Sequence, residues 1–461
     1  MTSEQSKKLP DKPQTPSTAY LDYLSEKIAT DARRSVESTE KGKENTATVF
    51  HGAPSQWHER VVAVVEQLEE DLAQIVRELH AHPEEGFAEY QSSALLVRIL
   101  EKHGCQVDHG CYGLDTAFRS EWASQDFEEN THPTIAICAE YDALPGIGHA
   151  CGHNIIAASG IGAYLAARQV LAENNAAARV VLYGTPAEEG GSGKQLMIEQ
   201  GAFRECDAAV MVHPFNMDVA EHAWVGRRFL KATFSGIAAH ASAQPFMGRN
   251  ALDAASLAYQ GIGLLRQQMP PSDRVHAIIA DGGKRPSIIV DSAIMELNVR
   301  STMIPTLVDL SERIEDIMHG AALMTGCAVR IEWDDNPATL PVRNNHVLAQ
   351  SWTRAQQGCQ RNPVPAGVVP DTVAASTDFG NVSQIIPGIH PMIAVSDSGV
   401  ALHTTDFAQA AISPAAYRAM RDGSIGLAAV VLDGVYDAQL LQAARVEFEQ
   451  SGGQVFATEL F

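Results

Sequence analysis

The sequence predicts an α/β protein: a mostly parallel central sheet flanked by helices, interrupted by a smaller α+β insertion. Three observations carry that expectation. Apolar runs at 134–139, 179–183 and 208–212 alternate with helical stretches at 155–171 and 194–200, and that alternation implies parallel pairing. Between residues 224 and 334 the order changes to β-α-β-β-α-β, the split-βαβ order of a ferredoxin-like unit. At 461 residues the chain is also too long for one ordinary core.

The elements follow in order. Residues 1–55 are rich in Lys, Glu, Ser, Thr and Pro and read as a mobile N-terminal extension with a weak helix at 19–38. Regular structure begins near Trp57, where Val61, Val64, Val65, Leu68, Leu72, Ile75, Val76 and Leu79 recur at helical spacing. A second helix is expected over 92–103 with Ser92 as its cap, and Asn154 is expected to cap the helix after the first buried strand. In the insertion, strands are expected at 227–234, 275–280, 287–299 and 328–333, and helices at 251–268 and 307–324. β/α patterning resumes over 346–437. The larger domain is therefore 56–223 with 335–461, and the inserted one 224–334.

Composition excludes several classes. A formal charge of −22 argues against a non-specific nucleic-acid binder, which needs a basic face. No apolar run approaches the ~18 residues that suggest a membrane span. Seven cysteines without a CxxC pair do not form a disulfide framework. The N-terminus lacks an apolar signal core, and its basic residues are balanced by Asp11, Asp22, Glu26 and Asp31, so a reducing cytoplasm is the expected home.

The chemistry sits where the strands end. His149-Ala150-Cys151-Gly152-His153, Glu188-Glu189 and His213 each follow closely on a strand-like run, and His403 comes shortly after another. In a parallel sheet the carboxyl ends share one edge, where ligands bind. Cys, His and Glu delivered there are the ingredients of a metal site. Pro145, Gly146, Gly148 and Gly152 make the first loop tight enough for its side chains to converge. Of two adjacent carboxylates, one can bind metal while the other takes a proton from water. Each string has a plainer reading: Cys151 as a small buried hydrophobe, the Glu pair as an acidic turn opening a helix, and each lone His as structural. Four segments converging on one edge favour the metal reading.

Longer strings point further. They are Leu79-His80-Ala81-His82-Pro83-Glu84, Glu140-Tyr141-Asp142-Ala143-Leu144-Pro145, Thr185-Pro186-Ala187-Glu188-Glu189, Ala239-His240-Ala241-Ser242-Ala243, Asn250-Ala251-Leu252-Asp253 and Ser376-Thr377-Asp378-Phe379-Gly380-Asn381-Val382-Ser383. On these strings the chain resembles the M20 metallopeptidase family over residues 57–437. Within it, the subfamily D amidohydrolases and the peptidase M20 domain-containing protein 2 (β-alanyl-lysine-type dipeptidase) group are most similar. The resemblance implies two divalent metal ions, zinc foremost with manganese or cobalt as alternatives. Their ligands would be Cys151, His153, Glu189, His213 and His403, with Cys151 bridging where other M20 branches use Asp. Glu188 would be the general base, and Asp142 a carboxylate that orients a ligand. The insertion would be a lid and dimerisation domain, with a homodimer or higher homo-oligomer as the assembly.

His240 would stabilise the oxyanion, often in the partner subunit's site, and Asn250 and Arg300 would hold the substrate's carboxylate. Structural alternatives stand beside these: His240 as a loop residue, Asn250 as a helix cap, Arg300 as half of a strand ion pair. The implied activity is hydrolysis of the amide bond in small dipeptides or N-acyl amino acids. A basic C-terminal residue is the leading case, with no nucleic-acid or membrane partner. Hydrolysis or formation of an aryl or specialised-metabolite amide, and a non-catalytic scaffold on the same fold, remain as alternatives. The Gly282-Gly283-Lys284-Arg285 turn and the neighbours of Arg300 and His403 depart from the group, which leaves the ligands intact and the substrate open.

Overall fold

The computed structural model describes residues 18–42, 50–397 and 399–461. The chain divides into two compact units, Met1–Ala47 and Thr48–Phe461. In the first, α1 (Ala19–Gly42) is a helix that runs beyond the expected 19–38. The rest of the expected mobile extension lies mostly outside the described residues.

In the second unit, α2 (Ser55–Ala81) and α3 (Tyr90–Lys102) lead into β1 (Val107–His109), β2 (Phe118–Ala123) and β3 (Thr134–Ala139). Next come α4 (His153–Glu173), β4 (Arg179–Gly184), the single turn α5 (Glu188–Gly191), α6 (Gly193–Glu199), β5 (Ala208–Val210) and β6 (His213–Phe215). A second group follows: β7 (Gly226–Ser235), α7 (Ala251–Leu265), β8 (Arg274–Asp281), β9 (Ser292–Ser301), α8 (Ile304–Thr325) and β10 (Ala328–Trp333). The chain closes with α9 (His346–Gly358), α10 (Phe379–Ser383), β11 (Gly388–Ile389), β12 (Met392–Ala394), α11 (Thr405–Ala410), α12 (Pro414–Tyr436) and α13 (Ala438–Gln450).

The main sheet runs β1-β2-β4-β3-β5-β11. Its four strands from β4 to β11 pair in parallel, while β1 and β2 add an antiparallel edge. Every residue of β3 and nearly every one of β4 is buried, as expected when helices cover both faces. The α2 stripe expected from Val61 to Leu79 is buried, and α2, α4 and α12 pack together over the sheet. Small residues let them approach: a Cβ on Gly162 would run into Ser424 and Leu72. Among the described residues one helix, α4, is long and apolar enough to cross a membrane, and most of it is buried in the core.

The second sheet runs β10-β7-β9-β8, all antiparallel, and encloses its own apolar core with α7 and α8. Its second hairpin strand begins at Ser292, not at residue 287.

Three expectations need correction. Asn154 does not cap α4: Gly152 does, and the Asn154 amide lies buried, donating to the Val76 and Ala411 carbonyls. Ser92 lies inside α3, its backbone N–H and hydroxyl both given to Glu84. The stretch read as resuming β/α is mostly helical, with strands of two and three residues only.

Candidate metal centre

Four chain segments build the site at the carboxyl edge of the parallel strands. After β3 the chain runs through Glu140 and Asp142, doubles back between Leu144 and Gly148, and enters α4 at His153. Gly152 is needed there on two counts: its φ is +79°, and a Cβ would sit 2.9 Å from the Pro214 ring. After β4, Ala187 (φ 56°), Gly190 (φ 84°) and Ser192 (φ 56°) bracket Glu188 and Glu189. β6 opens on His213, held in register by Met392 of β12. His403 arrives on a loop with φ 61°, its N–H donated to the Ala150 carbonyl at 3.1 Å. Non-glycine residues in this backbone region cost energy and persist where the surroundings impose them.

The side chains converge. Ligand-type atoms of Cys151, His153 and His213 lie within 4.8 Å of one another, and so do those of Cys151, Glu189 and His403. Cys151 belongs to both groups. His403 Nε2 is 2.9 Å from Cys151 Sγ and 3.8 Å from Glu189 Oε1. His153 Nε2 lies 3.9 Å from both Glu188 Oε2 and Glu189 Oε1. Asp142 braces the two groups: Oδ1 meets His153 Nδ1 at 2.9 Å, and Oδ2 accepts the Glu189 N–H at 2.8 Å. His213 Nδ1 is satisfied by the Pro214 carbonyl at 2.7 Å. Both imidazoles are thus held through Nδ1, which leaves Nε2 for a ligand.

Burial would raise the Asp142 carboxyl, but His153 and the Glu189 N–H outweigh it and hold it below its ordinary range. Burial pushes His213 down to about 3, so its ring is neutral and able to coordinate. Burial opposes a charge on His153, yet Asp142 drives it well above the usual histidine range. Burial, reinforced by the Glu189 and Glu140 carboxylates, raises Glu188 well above a normal glutamate. A cation beside these groups reverses that logic, favouring carboxylates and neutral imidazoles.

The residues fit a divalent metal. His153 Nε2, Glu189 Oε1 and Glu140 Oε2 are buried without a hydrogen-bond partner, although buried polar atoms are nearly always paired. A mixed sulfur, nitrogen and oxygen donor set suits a borderline ion.

Cys151, His153, Glu188, Glu189, His213, His403 and Asp142 are therefore brought together. Others are not in the cluster. His240 is exposed on the loop after β7, its Nδ1 accepting from Ser242 and Ala243 N–H groups. Asn250 caps α7, accepting from the Leu252 N–H and donating to Asp253. Arg300 lies on β9 and makes no ion pair among the described residues. Sequence reasoning missed the support beneath the site: Lys194 is fully buried between Glu140 and Asp378. Both acids stand inside strings that were singled out, and a lysine opening an apolar helix was the available signal. The His390 ring is stacked on Trp224 behind His213.

Comparison with known proteins places the chain in a family. The model for peptidase family M20/M25/M40 matches residues 136–420. The Xaa-Arg dipeptidase of Mus musculus is 36% identical over 399 residues, covering 85% of this chain and 91% of the relative. The Xaa-Arg dipeptidase of Homo sapiens is 33% identical over 402 residues, again covering 85% and 91%. The YXEP protein of Bacillus subtilis, described as a dinuclear metal-binding peptidase from the M20 family, superposes with a TM-score of 0.62 at 22% identity, covering 80% of this chain and 99% of its own. That last likeness concerns the fold. With a family model spanning more than half of the sequence and relatives above 30% identity along most of it, the chain is a member of peptidase family M20/M25/M40.

Proposed function

We propose that this metal-dependent hydrolase cleaves the amide bond of small dipeptides or N-acyl amino acids, with Glu188 as general base. The observation that carries the reading is the pair of ligand groups sharing Cys151. Cys151, His153 and His213 would hold one cation, and Cys151, Glu189 and His403 the other, zinc being the ion we assign. Bound there, two cations supply Lewis-acid activation of a water and of the scissile carbonyl. Glu188 takes the proton from the attacking water and returns it to the leaving amine. Asp142 keeps His153 and the Glu189 backbone in place while this happens. His240 is assigned to the oxyanion, reached on closure of the inserted domain or from a partner subunit.

In domain terms we assign catalysis to 56–223 with 335–461, and lid and dimer contacts to 224–334. The similarity to Xaa-Arg dipeptidases supports a basic leaving residue, and a homodimer in the cytoplasm is the working assembly.

The test is hydrolysis of a panel of dipeptides and N-acyl amino acids by metal-reconstituted protein, with Glu188→Ala as control. Dipeptides ending in Lys, Orn or Arg should be cleaved, and Glu188→Ala should keep its metal while losing about 10²–10⁴-fold in kcat. A mutant retaining most of its turnover removes Glu188 from the mechanism. Silence across the panel with two metals bound removes the substrate assignment and turns attention to other amides.

A further inference from the structure

We propose that Glu89 is a positioning residue for Glu188: its buried carboxylate holds the backbone just before the base, as Asp142 holds the backbone just after it. The inference rests on the reading of Glu188 as general base given above and adds a residue outside the ligand cluster.

Glu89 stands at the N-cap of α3, where a polar side chain ordinarily serves the helix's own N–H groups. It serves none of them. Glu84 takes that task, accepting the Gln91 and Ser92 N–H groups at 3.1 and 2.8 Å. The Glu89 side chain is free to turn inward, where it is fully buried. Its Oε1 accepts the Phe87 N–H at 3.0 Å and the Ala187 N–H at 2.8 Å. Its Oε2 accepts the Thr116 hydroxyl at 2.8 Å. No basic side chain among the described residues lies within ion-pair distance of it. A carboxyl group buried without a cation is costly, and burial, with Asp142 nearby, raises Glu89 above its ordinary range.

The two N–H groups that share Oε1 both belong to residues in the left-handed region: φ is 65° at Phe87 and 56° at Ala187. Residues with a side chain rarely adopt that conformation, least of all one as bulky as Phe, and it persists where the surroundings impose it. The two segments are closely packed. A Cβ on Gly86 would lie 3.1 Å from Ala187 Cα, and one on Gly191 would lie 2.8 Å from the Phe87 ring. Glu89 Oε1 is the common point that ties them.

Ala187 directly precedes Glu188, and Glu189, which follows it, gives its N–H to Asp142 Oδ2 at 2.8 Å. Glu188 is therefore spanned by two buried carboxyl groups, one on each side. They differ in reach. Asp142 also meets His153 Nδ1, so its loss extends to the assigned ligands. Glu89 hydrogen-bonds to none of those ligands, so its effect falls on the placement of the base.

The test measures kcat, KM, bound metal and Tm for wild type, Glu89→Gln, Glu89→Ala and Thr116→Val, each zinc-loaded, on a dipeptide that wild type cleaves. Glu89→Ala should keep its metal and its KM while kcat falls about 10²-fold. Glu89→Gln, whose amide oxygen can accept both N–H groups while its NH2 faces Thr116, should recover most of that loss. Thr116→Val, which removes one anchor with little change of shape, should show a smaller fall in kcat. If Glu89 only ties α3 to the core, Tm falls while folded, metal-loaded protein keeps the wild-type kcat, and the proposal is overturned. A rise in KM at unchanged kcat overturns it too, as does a Gln variant as slow as the Ala variant. Should Glu89→Ala not fold, Thr116→Val decides, and an unaltered kcat there counts against the proposal. Failure of the parent reading shows separately, as Glu188→Ala that retains its turnover or wild type inert towards the whole panel.

Discussion

Two buried polar clusters make opposite use of their charges. Around Asp433 of α12, every carboxylate oxygen has a donor from the protein. Oδ1 accepts from the Ala53 N–H and His58 at 2.8 Å each, and Oδ2 from Ser351 at 2.6 Å and Arg354 at 3.3 Å. Around Cys151 the chain gathers as many polar groups and leaves His153 Nε2, Glu189 Oε1 and Glu140 Oε2 without partners. The first cluster joins α2, α9 and α12 and is complete as folded. The second keeps donor atoms free at one point, as a bound cation would require. Buried charge alone does not mark a functional site; buried charge with free valences converging on one point does.

The sharpest way to break that comparison is to strip the metal. Chelation should abolish hydrolysis, restored by added zinc or manganese, and should lower Tm, because ions bound only by the native state stabilise it. Turnover unaffected by complete demetallation would mean that the unpartnered atoms serve another purpose. A smaller effect is expected from Asp142→Asn, which keeps the shape but loses the charge that orients His153. Metal affinity or kcat should drop about 10–100-fold, read by metal titration alongside kinetics. An unchanged affinity and rate would show that the loop positions its ligands without that carboxylate.

The smallest effect on activity belongs to the satisfied cluster. Burial would raise the Asp433 carboxyl, yet His58, Ser351 and the Ala53 N–H hold it below its ordinary range. A carboxyl depressed in the folded state stabilises the protein above the unfolded-state pKa, and that contribution disappears as pH falls through the folded value. Asp433→Asn should therefore cost about 3 kcal/mol of unfolding free energy near neutral pH. The gap from wild type should close as the solution is acidified into and below the carboxylate range. Denaturant unfolding at several pH values measures it. A pH-independent gap would trace the loss to packing and not to charge.

How much was legible in the sequence follows from what each residue must satisfy. The cluster of candidate ligands was readable because loops after buried strands deliver these residues to one edge, and β3 and β4 are apolar enough to be unmistakable. β1 and β2 were not anticipated: β1 has three residues, and β2 is partly exposed. α12 was missed as a helix because it is buried nearly all round, and an apolar run without a stripe does not separate helix from strand. Asn154 misled because a capping residue type does not reveal whether the helix begins two residues earlier.

His403 has one further consequence. It meets Cys151 from 252 positions away, across the whole β10-β7-β9-β8 sheet, on a loop that leaves its side chain 56% exposed. During synthesis the ribosome releases the other four donors long before this one. On the proposed two-ion reading, a nascent or prematurely terminated chain would carry a half-built chelator unable to close around its second ion. Full metal stoichiometry would then report that translation has passed residue 403 and that the C-terminal segment has docked. It could serve as a direct assay of complete biogenesis.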